Sequence, residues 1–161
     1  MPHNQQAPAG PPDHARAGTQ AQAQAEEQAA AMWAGDRATQ ALGITLSGVG
    51  PGRATATMTV TAGQLNGHGS CHGGYLFLLA DTAFAFACNT RGATAVAAGA
   101  DVSFLAPVAE GDVLVAEAVE RVVRGRSGLY DVTVRRGNEP VLEFRGRSRT
   151  VPPPGRLTCA T

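Results

Sequence analysis

One stretch limits what this chain can fold into more than any other. Residues 73–88 read GGYLFLLADTAFAFAC. The run is apolar on nearly every side and too long for a typical strand. It is also too short for a bilayer, which takes roughly 20 residues. It therefore reads as a buried helix. Asp81 stands in the middle of it, and its helical neighbours at three and four positions are Phe77, Leu78, Phe84 and Ala85. A carboxylate in that setting is costly unless it is paired or meets a water-filled cleft. Asp81 is either a seam residue that faces solvent or a functional acid, because perturbed carboxylates gather at active sites.

The segments around this helix change period. Residues 1 to about 20 are rich in Pro, Gln, Ala and Gly and read as a flexible tail. Gln20 to Gly35 favours helix, with Met32 and Trp33 available to dock it. Asp36 reads as the N-cap of a short helix, Arg37 to Leu42, which Gly43 ends. Ile44 to Ser47 reads as a strand, followed by a turn, GVGPGR. From Arg53 to Val60 the chain alternates, with Ala54, Ala56, Met58 and Val60 on one face and Arg53, Thr55, Thr57 and Thr59 on the other. LNGHGSCHGG is a glycine-rich loop. After the apolar helix come four strand-like segments, 94–106, 113–123, 129–136 and 141–150, joined by PVAEGD, RGRSG and GNEP. Short turns between consecutive strands make an antiparallel sheet. The expectation is one α+β domain over residues 21–151, with loose ends at 1–20 and 152–161. Either a sheet wraps a central helix, or a helix packs on one face of a sheet.

Composition excludes several classes. Thirteen cations, all arginine, balance thirteen acids, so no basic face marks a nucleic-acid binder. No membrane span is expected. The N-terminus lacks the basic-then-apolar order of a signal peptide. Cys71, Cys88 and Cys159 are odd in number and show no CxxC spacing, so a reducing cytoplasm is the expected home. His68, Cys71 and His72 are three candidate metal ligands in one loop with no second cluster, and no metal site is expected. Cys71 and His72 are adjacent and so seldom point at each other. Cys71 reads as a small packing residue and Cys88 as core.

The helix start carries a second signal. His72, Gly73 and Gly74 precede the apolar run. Glycines there leave backbone N–H groups open at the positive end of the helix dipole, where they would stabilise a developing oxyanion. They also simply allow a turn. Gly74 and Asp81 lie seven residues apart, which is about 10.5 Å along a helix. They share a face but cannot reach one reacting atom together. If both act in one reaction, they come from two chains whose helices pack antiparallel, and symmetry then makes two identical sites.

LNGHGSCHGGYLFLLADTAFAFACNTRG, with DRATQALGI before it and SFLAPVAEGDVLVAEA, GRSGLYDVTV and FRGRSR after it, resembles the hotdog-fold thioesterases of phenylacetate degradation, the PaaI family. The resemblance covers roughly residues 34–150. It implies an antiparallel sheet wrapped around one long central helix. It also implies sheets joined edge to edge in dimers, with dimers paired as tetramers. It implies hydrolysis of acyl-CoA thioesters, phenylacetyl-CoA and ring-hydroxylated relatives among them, to free acid and CoA. No separate cofactor is implied, since CoA is part of the substrate. By position, the family's catalytic aspartate falls on Asp81, its loop asparagine on Asn66, and its His-Gly pair on His72 and Gly73. Gly73 N–H would hold the thioester oxygen. Asp81 of the partner would act as general base or nucleophile, Asn66 would orient water or the acyl group, and His72 would shape the loop.

Further contacts are weighed beside these. Gly74, Phe77 and Phe84 are candidates for substrate binding, with core packing the alternative for the two rings. Arg126 and Ser127 are candidates for CoA phosphates, with a plain hairpin turn as the alternative. Three other functions compete: a hotdog hydratase or dehydratase, which would place a histidine on or near the helix; a non-catalytic acyl-CoA binder; and an enzyme acting on carrier-protein thioesters.

Overall fold

The computed structural model describes residues 13–152. The first helix, α1, spans Asp13–Gly35. It begins seven residues before the expected Gln20. The cause is propagation from a docked segment: Ala, Arg and Gln are good helix formers, and adding a turn to an existing helix costs no new nucleus. Residues 16–20 are exposed, whereas Ala25 is fully buried. Of the expected loose ends, 1–12 and 153–161 lie outside the described residues, and 13–20 are helical. Helix α2 covers Arg37–Ala41, and the Asp36 carboxylate accepts from the Thr39 amide at 3.1 Å.

Strand β1, Thr45–Gly50, runs through the glycines that read as a turn. The register slips between Ser47 and Gly50, and α1 lies alongside, with the Gln22 side-chain amide donating to the Val49 carbonyl at 2.6 Å. The reversal itself falls at Pro51 and Gly52. Strand β2, Arg53–Thr59, buries Ala54, Ala56 and Met58 and turns its threonines outward, as the alternation requires.

Helix α3 spans Gly73–Cys88. Strands β3 (Ala95–Phe104), β4 (Val113–Arg124), β5 (Ser127–Arg136) and β6 (Glu139–Thr150) follow. The sheet order is β1-β2-β4-β5-β6-β3, and every neighbouring pair is antiparallel. Short turns thus give the expected pairing, and β3 returns to the far edge beside β6.

The sheet packs one face on α3, which contacts β2, β4 and β5 most closely. Small residues make this approach possible. Ala54, Ala56, Ala116 and Ala118 are all buried beneath the helix. At Gly146 on β6 a Cβ would sit 2.7 Å from the Phe84 ring, so only glycine admits that ring. Phe84 then packs edge-on to Tyr130 at 5.5 Å and tilted to Phe144 at 5.7 Å. The far end of α3 is clamped by Asn89. Its side chain donates to the carbonyls of Ala85 and Ala95 and accepts from the Ala95 amide, tying helix to strand.

Candidate active site

The loop before α3 is built to present the helix start. Gln64 closes a short 3-10 turn over Ala62–Gln64 through a capping box with Thr61. Its carbonyl accepts from the His72 amide at 2.8 Å, and the Cys71 amide donates to Val108 at 2.7 Å. These bonds hold the chain at α3's first turn from two sides. The Asn66 side chain folds back onto the loop. Its carbonyl oxygen accepts from the His68 amide at 2.8 Å, and its NH₂ donates to the Ser70 hydroxyl at 3.1 Å. In this chain Asn66 braces the loop from within.

His72 is the N-cap of α3, and its Nδ1 accepts from the Gly74 amide at 3.0 Å. That bond occupies the Gly74 donor, and the His72 carbonyl takes the Tyr75 amide at 2.9 Å. The Gly73 N–H makes no hydrogen bond to any described residue. Of the two glycine donors considered, Gly73 is the open one and Gly74 is spent on the cap. A Cβ at Gly73 would lie 2.9 Å from the Phe104 ring, so the helix start and the end of β3 touch.

Asp81 sits one face down the same helix. Leu79, Ala80, Ala83 and Ala87 around it are fully buried. Gly74, Leu78, Asp81 and Ala85 instead form a stripe, at helical spacing, in which Gly74 is exposed and the other three are half-buried. The Asp81 carboxylate has no hydrogen bond or ion pair among the described residues. Burial alone pushes its carboxyl above the usual carboxylate range. Cys88, two turns further along the helix, has its thiol pushed up to about 12, mainly by burial.

The other candidates separate. Phe84 is 1% exposed and belongs to the core, which removes it as a substrate-facing ring. Phe77 is half-buried and packs edge-on to Phe144 at 5.5 Å. Arg126 turns its guanidinium onto the Thr150 carbonyl at 3.1 and 3.0 Å, and Ser127 opens β5 opposite Arg149. Gly125 supplies the positive φ that this two-residue hairpin needs. Arg126 is thus braced on its own sheet through Nε and one terminal nitrogen. Cys71 is buried, and burial raises its thiol, as befits a packing residue. Among the described residues no cluster of three His, Cys, Asp or Glu could hold a metal. Sequence reasoning missed Phe104. Its signal was an aromatic residue at the end of an edge strand, opposite a glycine pair that demands room.

An apolar helix packed on one face of an antiparallel sheet, with an open amide at its start and an acid without a partner on its free face, defines a hotdog protein equipped for acyl transfer to water. The Thioesterase superfamily matches residues 68–143. The acyl-coenzyme A thioesterase PaaI of Escherichia coli is 47% identical over 126 residues, 78% of this chain and 90% of that protein. The structure of E. coli PaaI, described as from the phenylacetic acid degradation operon, superposes with a TM-score of 0.80. It is 45% identical and covers 81% of this chain and 96% of its own. A mutant of the phenylacetic acid degradation protein PaaI from Thermus thermophilus is 37% identical, with a TM-score of 0.70, over 72% of this chain and all of its own. This chain belongs to the PaaI family of thioesterases, and it is a thioester hydrolase.

Proposed function

We propose that the chain hydrolyses aryl-acyl-CoA thioesters, phenylacetyl-CoA or its ring-hydroxylated forms, to free acid and CoA in phenylacetate breakdown. The observation that carries this reading is the half-buried stripe on α3. It bears an unpartnered carboxylate at Asp81, with an open amide at Gly73 near the other end. The thioester oxygen accepts from Gly73 N–H, with the helix dipole behind it. Asp81 then takes a proton from water as the water attacks, and the C–S bond breaks with that proton passing to the leaving CoA thiolate. Or Asp81 attacks the carbonyl itself, CoA leaves as thiolate, and water hydrolyses the mixed anhydride to free acid and the Asp81 carboxylate. Its raised pKa makes it a stronger base than an ordinary carboxylate. Asn66 holds the loop that aims His72 and Gly73.

Asp81 and Gly73 of one chain are too far apart for one carbonyl, so the working unit is a homodimer whose α3 stripes run antiparallel. Pairing of the exposed β3 edges would bring the two stripes together, and dimers would join as tetramers. Cys71 and Cys88 are free, buried thiols, in keeping with a cytoplasmic setting. Among the described residues no helix is long and apolar enough to cross a membrane.

The test is a panel of acyl-CoA esters with detection of the released thiol, run beside light scattering. The expected result is fastest turnover on phenylacetyl-type esters by a dimer or tetramer. Hydration of enoyl-CoA without CoA release, or acyl-CoA binding without turnover, would overturn the reading. So would full activity in a monomer.

A further inference from the structure

We propose that Phe104 selects the acyl group, its ring forming the wall along which an aryl substituent lies; this rests on the hydrolysis proposed above. Phe104 ends β3 opposite Leu142, and the next residue's amide, Leu105 N–H, donates to Val141 at 2.9 Å. The backbone under the ring is therefore fixed, while the side chain is 54% exposed. The ring edge lies 2.9 Å from the position a Gly73 Cβ would take. Gly73 is also the residue whose amide is open. Phe104 is thus the aromatic ring beside the open amide, placed to meet a substituent of a carbonyl bound there.

The chemistry of the neighbourhood says which one. An open cleft of about 320 Å³ runs between Gly73 and Phe104; Leu76, Leu105, Pro107 and Val108 give its apolar wall, Ser70 and Cys71 also border it, and no charged side chain does. Leu105 is itself 53% exposed. Such a surface suits an apolar acyl group and offers little to the amides and phosphates of the CoA arm. An aromatic acyl group also gains ring–ring contact that an aliphatic one lacks.

The experiment compares kcat/KM for phenylacetyl-CoA and hexanoyl-CoA in the parent, Phe104→Leu and Phe104→Tyr. Phe104→Leu should lower the aryl-to-alkyl ratio about 2- to 12-fold, the range of an aromatic pair. Phe104→Tyr keeps the ring and should keep the ratio within about twofold. An unchanged ratio in Phe104→Leu, or a ratio lost equally in Phe104→Tyr, overturns the assignment. Asp81→Asn on the same two esters separates the two levels. If it removes turnover while Phe104→Leu leaves the ratio unmoved, only the role of Phe104 falls. If the parent releases CoA no faster than Asp81→Asn, the hydrolysis itself falls and this inference with it.

Discussion

Asp81 and Asp131 are both half-buried aspartates, on opposite sides of the same sheet, and their surroundings push them in opposite directions. Asp131 lies on the outer face between two guanidiniums, Arg145 at 2.7 and 3.0 Å and Arg121 at 2.7 Å. Hydrogen bonding to Arg145 is the largest cause holding its carboxyl below the usual range. Asp81 has no such partner and is driven upward by desolvation. Deeper burial without a partner and shallower burial between two arginines therefore yield two kinds of acid. One is neutralised by its neighbours and serves the sheet; the other is left basic on the free face of a helix.

The largest effect that separates them is catalytic. Asp81→Asn is nearly isosteric but removes the base, so kcat should fall about 10²–10⁴-fold. Asp131→Asn should leave kcat within about twofold, since exposed pairs contribute little. If the two substitutions cost turnover equally, the comparison fails.

The next effect isolates the open amide. Gly73→Pro deletes that N–H at the first helical position, where proline is tolerated. His72, at φ −64° and ψ 130°, already has the extended backbone a following proline needs. Gly73→Ala adds the same crowding against Phe104 but keeps the donor. Relative to Gly73→Ala, Gly73→Pro should lose a further 10²–10³-fold or thereabouts in kcat, the worth of one oxyanion donor. Equal rates in the two variants would show that the amide is not used.

The smallest effects are on stability, and their signs oppose. The folded pKa of Asp81 is raised, so its stabilising balance is fullest below the unfolded value and is lost as pH rises through the folded one. Asp81→Asn should therefore melt higher than the parent at neutral pH, by about 2–4 °C per kcal/mol regained, and the gap should close in acid. Asp131 has a lowered folded pKa, so its contribution is present above the unfolded value and lost as pH falls through the folded one. Asp131→Asn should cost up to about 1 kcal/mol at neutral pH, and this gap also closes in acid. Thermal midpoints of the three proteins across pH 3–8, roughly the span in which carboxylates titrate, check both signs.

Much of this was legible in the sequence, for physical reasons. The apolar run was too long for a strand and read as a buried helix, and α3 spans the same residues, 73–88. Period-two alternation marked β2, and short glycine turns marked the antiparallel run from β4 to β6. Asp81 stood out because a lone carboxylate in such a run demands an explanation. What was hidden depends on contacts distant in sequence. β1 continues through its glycines because α1 supplies Gln22 to the Val49 carbonyl. Phe84 looked the same as any ring flanking Asp81 until Gly146 gave it a seat in the core. The division of labour between Gly73 and Gly74 followed only from the orientation of the His72 ring. Phe104 reads as an ordinary strand residue until β3 is laid beside the start of α3.

The central claim is that one site takes Gly73 from one chain and Asp81 from another, and subunit mixing tests it most directly. Asp81→Asn and Gly73→Pro are each prepared as inactive homo-oligomers, then unfolded together in equal amounts and refolded. A mixed dimer would contain one site with both native residues and one with neither. Random pairing should then restore about a quarter of the parent's turnover on phenylacetyl-CoA. If the mixture shows no more activity than the average of the two variants, although mixed dimers have formed, the two residues do not act across a subunit boundary and the account is wrong.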